Sequence, residues 1–299
     1  MHEPSKTHDV TGEYLMETRK IYIAQPPILV TGGTGTLGRQ VVARLHDAER
    51  PMRILSRRAA EVERGVEHVV GDLAKGDGVD GALSGVEVVI HCAGSVKGDD
   101  VKARNLVEAA KRAEVRHIVY ISVVGADATP MNGFIDRAMF GYFGAKYAAE
   151  RIIAESGIPW TTLRATQFHD LTFKTLEQLA RIPVMPVFSG MSFQPVDSGE
   201  VADRLVELAL GDPAGLVPAM GGPRVYAMDE LARSYLGAVG RSKRILAMPV
   251  FGAAGRAQKN GVNLARDRAV GRRTWEQFLA VKVGRLHART DEFLDEVAS

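Results

Sequence analysis

The stretch Ile28-Leu29-Val30-Thr31-Gly32-Gly33-Thr34-Gly35-Thr36-Leu37-Gly38-Arg39 decides the fold. Ile28 to Thr31 is a short apolar run closed by glycine, which reads as a buried strand. Leu37 to Arg50 carries Val41, Val42 and Leu45 at helical spacing, so a helix follows at once. Between them Gly32, Gly35 and Gly38 stand in a G-x-x-G-x-x-G pattern. A strand, a glycine turn and a helix in that order form an anion cradle. The first glycine permits the tight turn, the second lets backbone N–H groups reach a pyrophosphate, and the third lets helix and strand pack closely. The unpaired N–H groups at the helix start and the helix dipole then favour the bound charge. Gly32, Thr34, Gly35, Thr36, Leu37 and Gly38 are therefore the expected dinucleotide contacts.

Outward from this turn the chain keeps alternating. Strands are expected at Met52–Ser56, Glu67–Val70, Val86–His91, His117–Ser122 and Trp160–Arg164, with helices at Asp100–Ala113 and Tyr142–Ser156. Such alternation predicts an α/β fold, a Rossmann-type doubly wound parallel sheet built from right-handed βαβ units. After about residue 165 the rhythm breaks at Pro183, Pro186 and Gly190. Short strands at Val184–Phe188, Phe193–Val196 and Ile245–Val250, with helices at Ser198–Leu210, Asp229–Val239 and Thr274–Val283, predict a smaller carboxyl-terminal α+β substrate lobe. The expected division is an amino-terminal arm over 1–26, a dinucleotide-binding domain over 27–168, and a substrate lobe over 169–299 whose chain is free to cross back to the sheet.

Composition narrows the function classes. The 299 residues are 45% hydrophobic and 25% charged, with a net charge of +2, and no long basic block points to nucleic acid. No apolar run approaches the ~20 residues of a membrane span, and Met1–Lys20 lacks the apolar core of a secretory signal. The single cysteine, Cys92, excludes an intrachain disulfide and suits a cytoplasmic setting. No residues show metal-ligand spacing, so no metal is expected.

The second strand should end at the adenosine ribose. An acid there would bind a 2′-hydroxyl, but the sequence is Ser56-Arg57-Arg58, with no acid before Glu61. A guanidinium is a planar, permanently charged fork that suits a 2′-phosphate, so NADP(H) is expected over NAD(H). The alternative is a solvated surface arginine pair. Asp72, followed by Leu73, stands where a carboxylate could accept from the adenine amino group, or simply close a turn. Ala93, Gly94 and Ser95 are small enough to let the chain pass the diphosphate and nicotinamide ribose, while His91 and Cys92 read as packing residues.

Three residues suggest chemistry. Ser122 ends the fifth strand, and Tyr142 and Lys146 share a helix face four residues apart. A free phenol, pKa about 10, is a poor acid-base group at neutral pH, and a neighbouring ammonium can lower it. Tyr142 would then donate a proton to a carbonyl oxygen polarised by Ser122, and Lys146 would also hold the nicotinamide ribose. Tyr and Lys at this spacing also occur by chance.

The glycine motif, Tyr142-x-x-x-Lys146 and Leu163-Arg164-Ala165-Thr166-Gln167-Phe168-His169-Asp170 together resemble the short-chain dehydrogenase/reductase superfamily. The likeness runs over residues 28 to about 283 and is nearest to its extended and atypical, NmrA-like, branches. Weaker likeness lies in Phe193-Gln194-Pro195-Val196 and Gly271-Arg272-Arg273-Thr274-Trp275. The resemblance implies that Ser122, Tyr142 and Lys146 are the catalytic trio, and that Ala165, Thr166, Gln167 and Phe168 line the nicotinamide end of the cleft. Ser122 and Tyr142 are twenty residues apart, as in the extended members. Atypical members often lose the trio and serve as redox sensors, and others are epimerases or dehydratases.

The substrate side is read from residues 126–141, rich in Met, Phe and Gly. That segment is either an apolar lid or an ordinary helix entrance. Met131, Phe134, Phe168, His169 and Phe193 are the expected substrate contacts, although Asp170 next to His169 would also serve as a helix N-cap. The expected protein is an NADP(H)-dependent oxidoreductase acting on a small apolar carbonyl, enone or quinone, as a monomer or homodimer. The rivals are a dinucleotide sensor without turnover and an epimerase or dehydratase.

Overall fold

The computed structural model describes residues 25–58, 65–94 and 98–298. The amino-terminal arm as far as residue 24, Glu61 and Ser95 lie outside the described residues. Seven parallel strands form the main sheet: β1 (Ile28–Thr31), β2 (Met52–Ser56), β3 (Val66–Val70), β4 (Val88–His91), β5 (His117–Val123), β6 (Trp160–Ala165) and β9 (Gly215–Leu216). Their order is β3-β2-β1-β4-β5-β6-β9. The expected Rossmann-type sheet is thus borne out. The order reverses between β1 and β4, and the crevice outside the carboxyl ends of these two strands is the place where such sheets bind ligands.

The period of two along each strand divides the core into two layers. Val30, Ile54, Ile90, Val119 and Ile121 face α1 (Thr36–Asp47) and α6 (Ser198–Leu210). Leu29, Leu55, Val89, Ile118 and Tyr120 face the other way, onto α2 (Val79–Leu83), α3 (Asp99–Arg112) and α4 (Phe134–Ala154). α6 comes from the part of the chain beyond residue 168. It returns to the sheet through buried Val201, Ala202 and Leu205, and β9 then adds an edge strand beside β6. Its N-cap is Asp197, whose carboxylate accepts from the N–H groups of Gly199 and Glu200.

The rest of the carboxyl-terminal chain forms a smaller body. β7 (Met185–Phe188) pairs in parallel with β11 (Ile245–Met248), and β8 (Ser192–Phe193) pairs antiparallel with β10 (Tyr226–Ala227). α5 (His169–Leu179), α7 (Met228–Ala238), α8 (Gly252–Lys259) and α9 (Trp275–Ala298) complete it. Phe173, Tyr226, Tyr235, Trp275 and Phe278 fill its core. Four helices differ from expectation. α2 and α8 were not expected from the sequence, α5 was expected only through the N-cap reading of Asp170, and α4 begins at Phe134 rather than Tyr142. Gly141 and Gly144 weaken the helical signal there, but α8 packs on the early turns of α4 and stabilises them. The Asp136 carboxylate accepts from Ala254 N–H, and Phe140 packs with Val250 and Ala254. Residues 134–141 are therefore a packed helix entrance.

Candidate active site

The glycine turn is held by close contact at Gly32 and Gly38. Gly32 has φ +72°, and a Cβ there would lie 2.8 Å from the Ala93 backbone of the neighbouring strand end. A Cβ on Gly38 would lie 2.1 Å from the Gly32 carbonyl oxygen. Only bare backbone fits at these two points. α1 starts behind Gly35 with no side-chain cap, so its first N–H groups are available to an anion. These residues fit a dinucleotide diphosphate. Leu37 is buried as the helix packs down. Thr34 and Thr36 are exposed on the turn.

Beyond the turn, β2 ends at Ser56, whose hydroxyl donates to the Arg58 carbonyl. Arg57 and Arg58 are exposed. The Asp72 carboxylate accepts from Ala74 N–H at 2.9 Å, closing its own turn, and Leu73 is buried. Ala93 is half-buried and Gly94 exposed at the end of β4.

The other half of the site lies under α4. Tyr120 and Ser122 alternate with Ile121 along β5 and so share its α4 face. Lys146 reaches this face from α4. It is 3% exposed, and its ammonium donates to the Ile121 carbonyl at 3.2 Å. The ammonium lies 4.9 Å from the Tyr120 ring centroid and 5.9 Å from that of Tyr142, one turn away. Tyr142 is half-buried. Ser122 is 4% exposed, and among the described residues its hydroxyl has no hydrogen-bond partner. An orphaned buried hydroxyl is costly unless something else pairs with it. Tyr120 is fully buried, and its hydroxyl, although within electrostatic reach of Lys146, lacks sound hydrogen-bond geometry.

Asp99, the first residue of α3, was not singled out in the sequence. It is 1% exposed, and its carboxylate lies 3.1 Å from the Lys146 ammonium and 3.4 Å from that of Lys102. Its position could have been read only as an acid in the first turn of a helix, which the dipole explains without any site. Burial works against the Lys146 charge, but Tyr120 and Asp99 outweigh it and hold the ammonium above the ordinary lysine range. Burial first, and the Asp99 charge second, push the Tyr142 phenol above its ordinary value. The expected lowering of Tyr142 by Lys146 is therefore reversed. His91 is buried, hydrogen-bonds Thr31 at 2.7 Å and stacks on Tyr120. Burial, then Lys146, push it down to about 3, so it is neutral. Burial pushes the Cys92 thiol up to about 12.

The remaining expected contacts divide. Gln167 and Phe193 border an apolar cavity of about 110 Å³, together with Leu171, Leu176 and Met228. Met131 and Phe193 pack around Phe140 and Met191. Ala165 and Thr166 are buried, and the Thr166 hydroxyl donates to the Gln194 carbonyl. Phe168 packs against the sheet core. Two residues stand apart. Phe134 is 84% exposed, because the first turn of α4 faces outward there. His169 is fully buried, with a ring nitrogen 3.0 Å from the Arg273 carbonyl oxygen and its ring stacked on Trp275 and Phe278. It belongs to the lobe's core. Asp170 is not the N-cap of α5, which is Phe168; it accepts from the Ser198 hydroxyl.

A parallel sheet with a bare glycine turn at its switch point defines a dinucleotide-binding protein of the Rossmann class. Residues 32–211 match the family described as NAD(P)H-binding, and the chain belongs to that family. It is 31% identical over 223 residues to the (4-alkanoyl-5-oxo-2,5-dihydrofuran-3-yl)methyl phosphate reductase of Streptomyces griseus subsp. griseus, covering 73% of this chain and 75% of that one. It is 31% identical over 231 residues to an NAD(P)H azoreductase of Xenophilus azovorans, covering 74% and 77%. It is also 25% identical over 240 residues to the photosystem II assembly factor Ycf39 of Trieres chinensis, covering 75% and 72%. An NADPH-dependent quinone oxidoreductase of Escherichia coli, solved with NADPH, shares the fold with a TM-score of 0.70 at 19% identity, over 85% of this chain and 98% of that one. Its reductase relatives make the chain an oxidoreductase of the NAD(P)H-binding family. Among the described residues no helix is long and apolar enough to cross a membrane, and no cluster of acids, histidines and cysteine could hold a metal.

Proposed function

We propose that the chain is an NADP(H)-dependent reductase of a carbonyl, enone or quinone group on a small apolar molecule. One observation carries this reading: half-buried Tyr142 lies over the buried Lys146 ammonium, with the unpartnered Ser122 hydroxyl on the same face. Bound NADPH would supply the hydride. Gly32, Gly35 and Gly38 would take the diphosphate along bare backbone, and Arg57 would pair with the 2′-phosphate. Ser122 Oγ would donate a hydrogen bond to the acceptor oxygen, and Tyr142 Oη would give it a proton. The acceptor would gain a C–H bond from the hydride pair and, as its C=O π bond opens onto oxygen, a new O–H bond, the cofactor ending as NADP+. The Tyr142 O–H bond breaks, and water protonates the tyrosinate again. The apolar cavity beside Gln167 and Phe193 supports an apolar substrate, since it offers almost no polar surface.

The test is a screen of ketones, enones and quinones that follows NADPH absorbance. Turnover of at least one class, faster with NADPH than with NADH, is the expected result. A second reading, a dinucleotide-binding assembly or sensor protein without turnover, draws support from the Ycf39 relative. Tight NADPH binding with no turnover across the whole screen would favour it and overturn the first.

A further inference from the structure

The buried ion pair at the reaction end goes beyond a tyrosine and a lysine. Lys146 is enclosed by groups from three elements besides its own helix. Asp99 and Lys102 approach from α3, Tyr120 from β5, and His91 from β4, with Tyr142 one turn away on α4. His91 is neutral. Among these described residues Asp99 is thus the one full negative charge, and it touches the ammonium directly at 3.1 Å. A lone ammonium beside a phenol favours tyrosinate, whereas a carboxylate in contact with that ammonium cancels the pull. The space between them is tight. A Cβ on Gly94 would lie 3.0 Å from Lys146 Nζ and 3.6 Å from the Asp99 carboxylate.

From this arrangement we infer that Asp99 is a positioning residue. It fixes the Lys146 ammonium and keeps Tyr142 in its protonated, donor form, so that the site is set for reduction rather than for oxidation of an alcohol. The inference rests on the reading of Tyr142 as proton donor. Asp99 itself touches neither acceptor nor cofactor in this account. It acts through Lys146 and through its own charge.

The direct test is Asp99→Asn, which keeps the shape and removes the charge. Two readouts are taken. One is the alkaline limb of the kcat profile for reduction. The other is the near-ultraviolet tyrosinate titration, with Tyr142 isolated by subtracting Tyr142→Phe in each background. Loss of the negative charge lowers the pH at which Tyr142 ionises, so both the limb and the Tyr142 titration should move down by about 1–3 pH units. Asp99→Glu should restore both. A fall in kcat with neither curve moved would mark Asp99 as merely structural and overturn the inference. The parent protein gives an independent check if Asp99→Asn does not fold, because Tyr142 ionising at or below the ordinary phenol value of about 10 would also overturn it. The two levels of the account fail separately. Turnover retained in Tyr142→Phe defeats the donor reading and this inference with it, whereas an inactive Tyr142→Phe with unmoved curves in Asp99→Asn defeats this inference alone.

Discussion

The two ends of the cleft hold charge in opposite ways. At the end proposed for the adenosine, Arg57 and Arg58 are exposed to solvent at the tip of β2. At the reaction end, Lys146 and Asp99 are buried against one another, beside a buried and unpartnered Ser122. Exposed charges are screened over about 8–10 Å and contribute little to stability. Buried ones are strongly coupled and costly to separate. On the proposed reading, cofactor choice at the first end could therefore change without disturbing the fold, whereas the proton chemistry at the second would be built into the core.

The largest expected effect comes from splitting the buried pair. Lys146→Met should destabilise the fold by about 3–5 kcal/mol, because it leaves the Asp99 carboxylate buried without its nearest cation. Arg57→Ala should change stability by no more than about 0.5 kcal/mol. Urea denaturation of both variants checks the contrast, and equal losses would break it. An effect of similar size, spread over a range of pH, concerns His91, whose pKa falls from 6.5 to about 3 on burial. Its native form is neutral, so the unfolded chain binds the extra proton. Stability is complete above about 6.5 and should fall as pH drops toward about 3, by roughly 1.4 kcal/mol per unit in that window. His91→Gln should flatten that part of the curve, and an unchanged slope would count against a buried neutral His91.

At the exposed end the effects are on binding. Arg57→Ala should raise the KM for NADPH by about 10–100-fold, the range set by losing one charge-assisted hydrogen bond, while leaving NADH unchanged. Equal losses for both cofactors would refute the 2′-phosphate assignment. Smallest is the response to salt. Raising ionic strength should weaken NADPH binding a few-fold through screening and leave kcat unaltered, because the reaction-end charges are buried. A matching fall in kcat would show that the two ends are not so different.

The parallel sheet and the glycine turn were legible because their signals are local: a period of two, a period of 3.6 and three glycines at fixed spacing. Ser122, Tyr142 and Lys146 were singled out by resemblance and by helical spacing, and the structure places Tyr142 within 5.9 Å of Lys146 and Lys146 against the strand that carries Ser122. What the sequence hid depended on distant residues. His169 looked like a cleft residue beside β6, but Trp275 and Phe278, more than a hundred positions later, enclose it. Phe134 looked like part of an apolar lid, but helix geometry turns it outward while Phe140, two turns on, meets α8. The direction of the Tyr142 shift was misread because neither its burial nor Asp99 was counted. The Asp99 contact with Lys146 spans two helices and leaves no mark in the local pattern.

The central claim is that Tyr142 is the proton donor at a site that binds the cofactor independently of it. Its most direct test is to measure kcat and NADPH affinity together in Tyr142→Phe, with any acceptor the parent reduces. In that variant kcat should fall by about 10²–10⁴-fold, with the NADPH dissociation constant unchanged. Full turnover would contradict the claim.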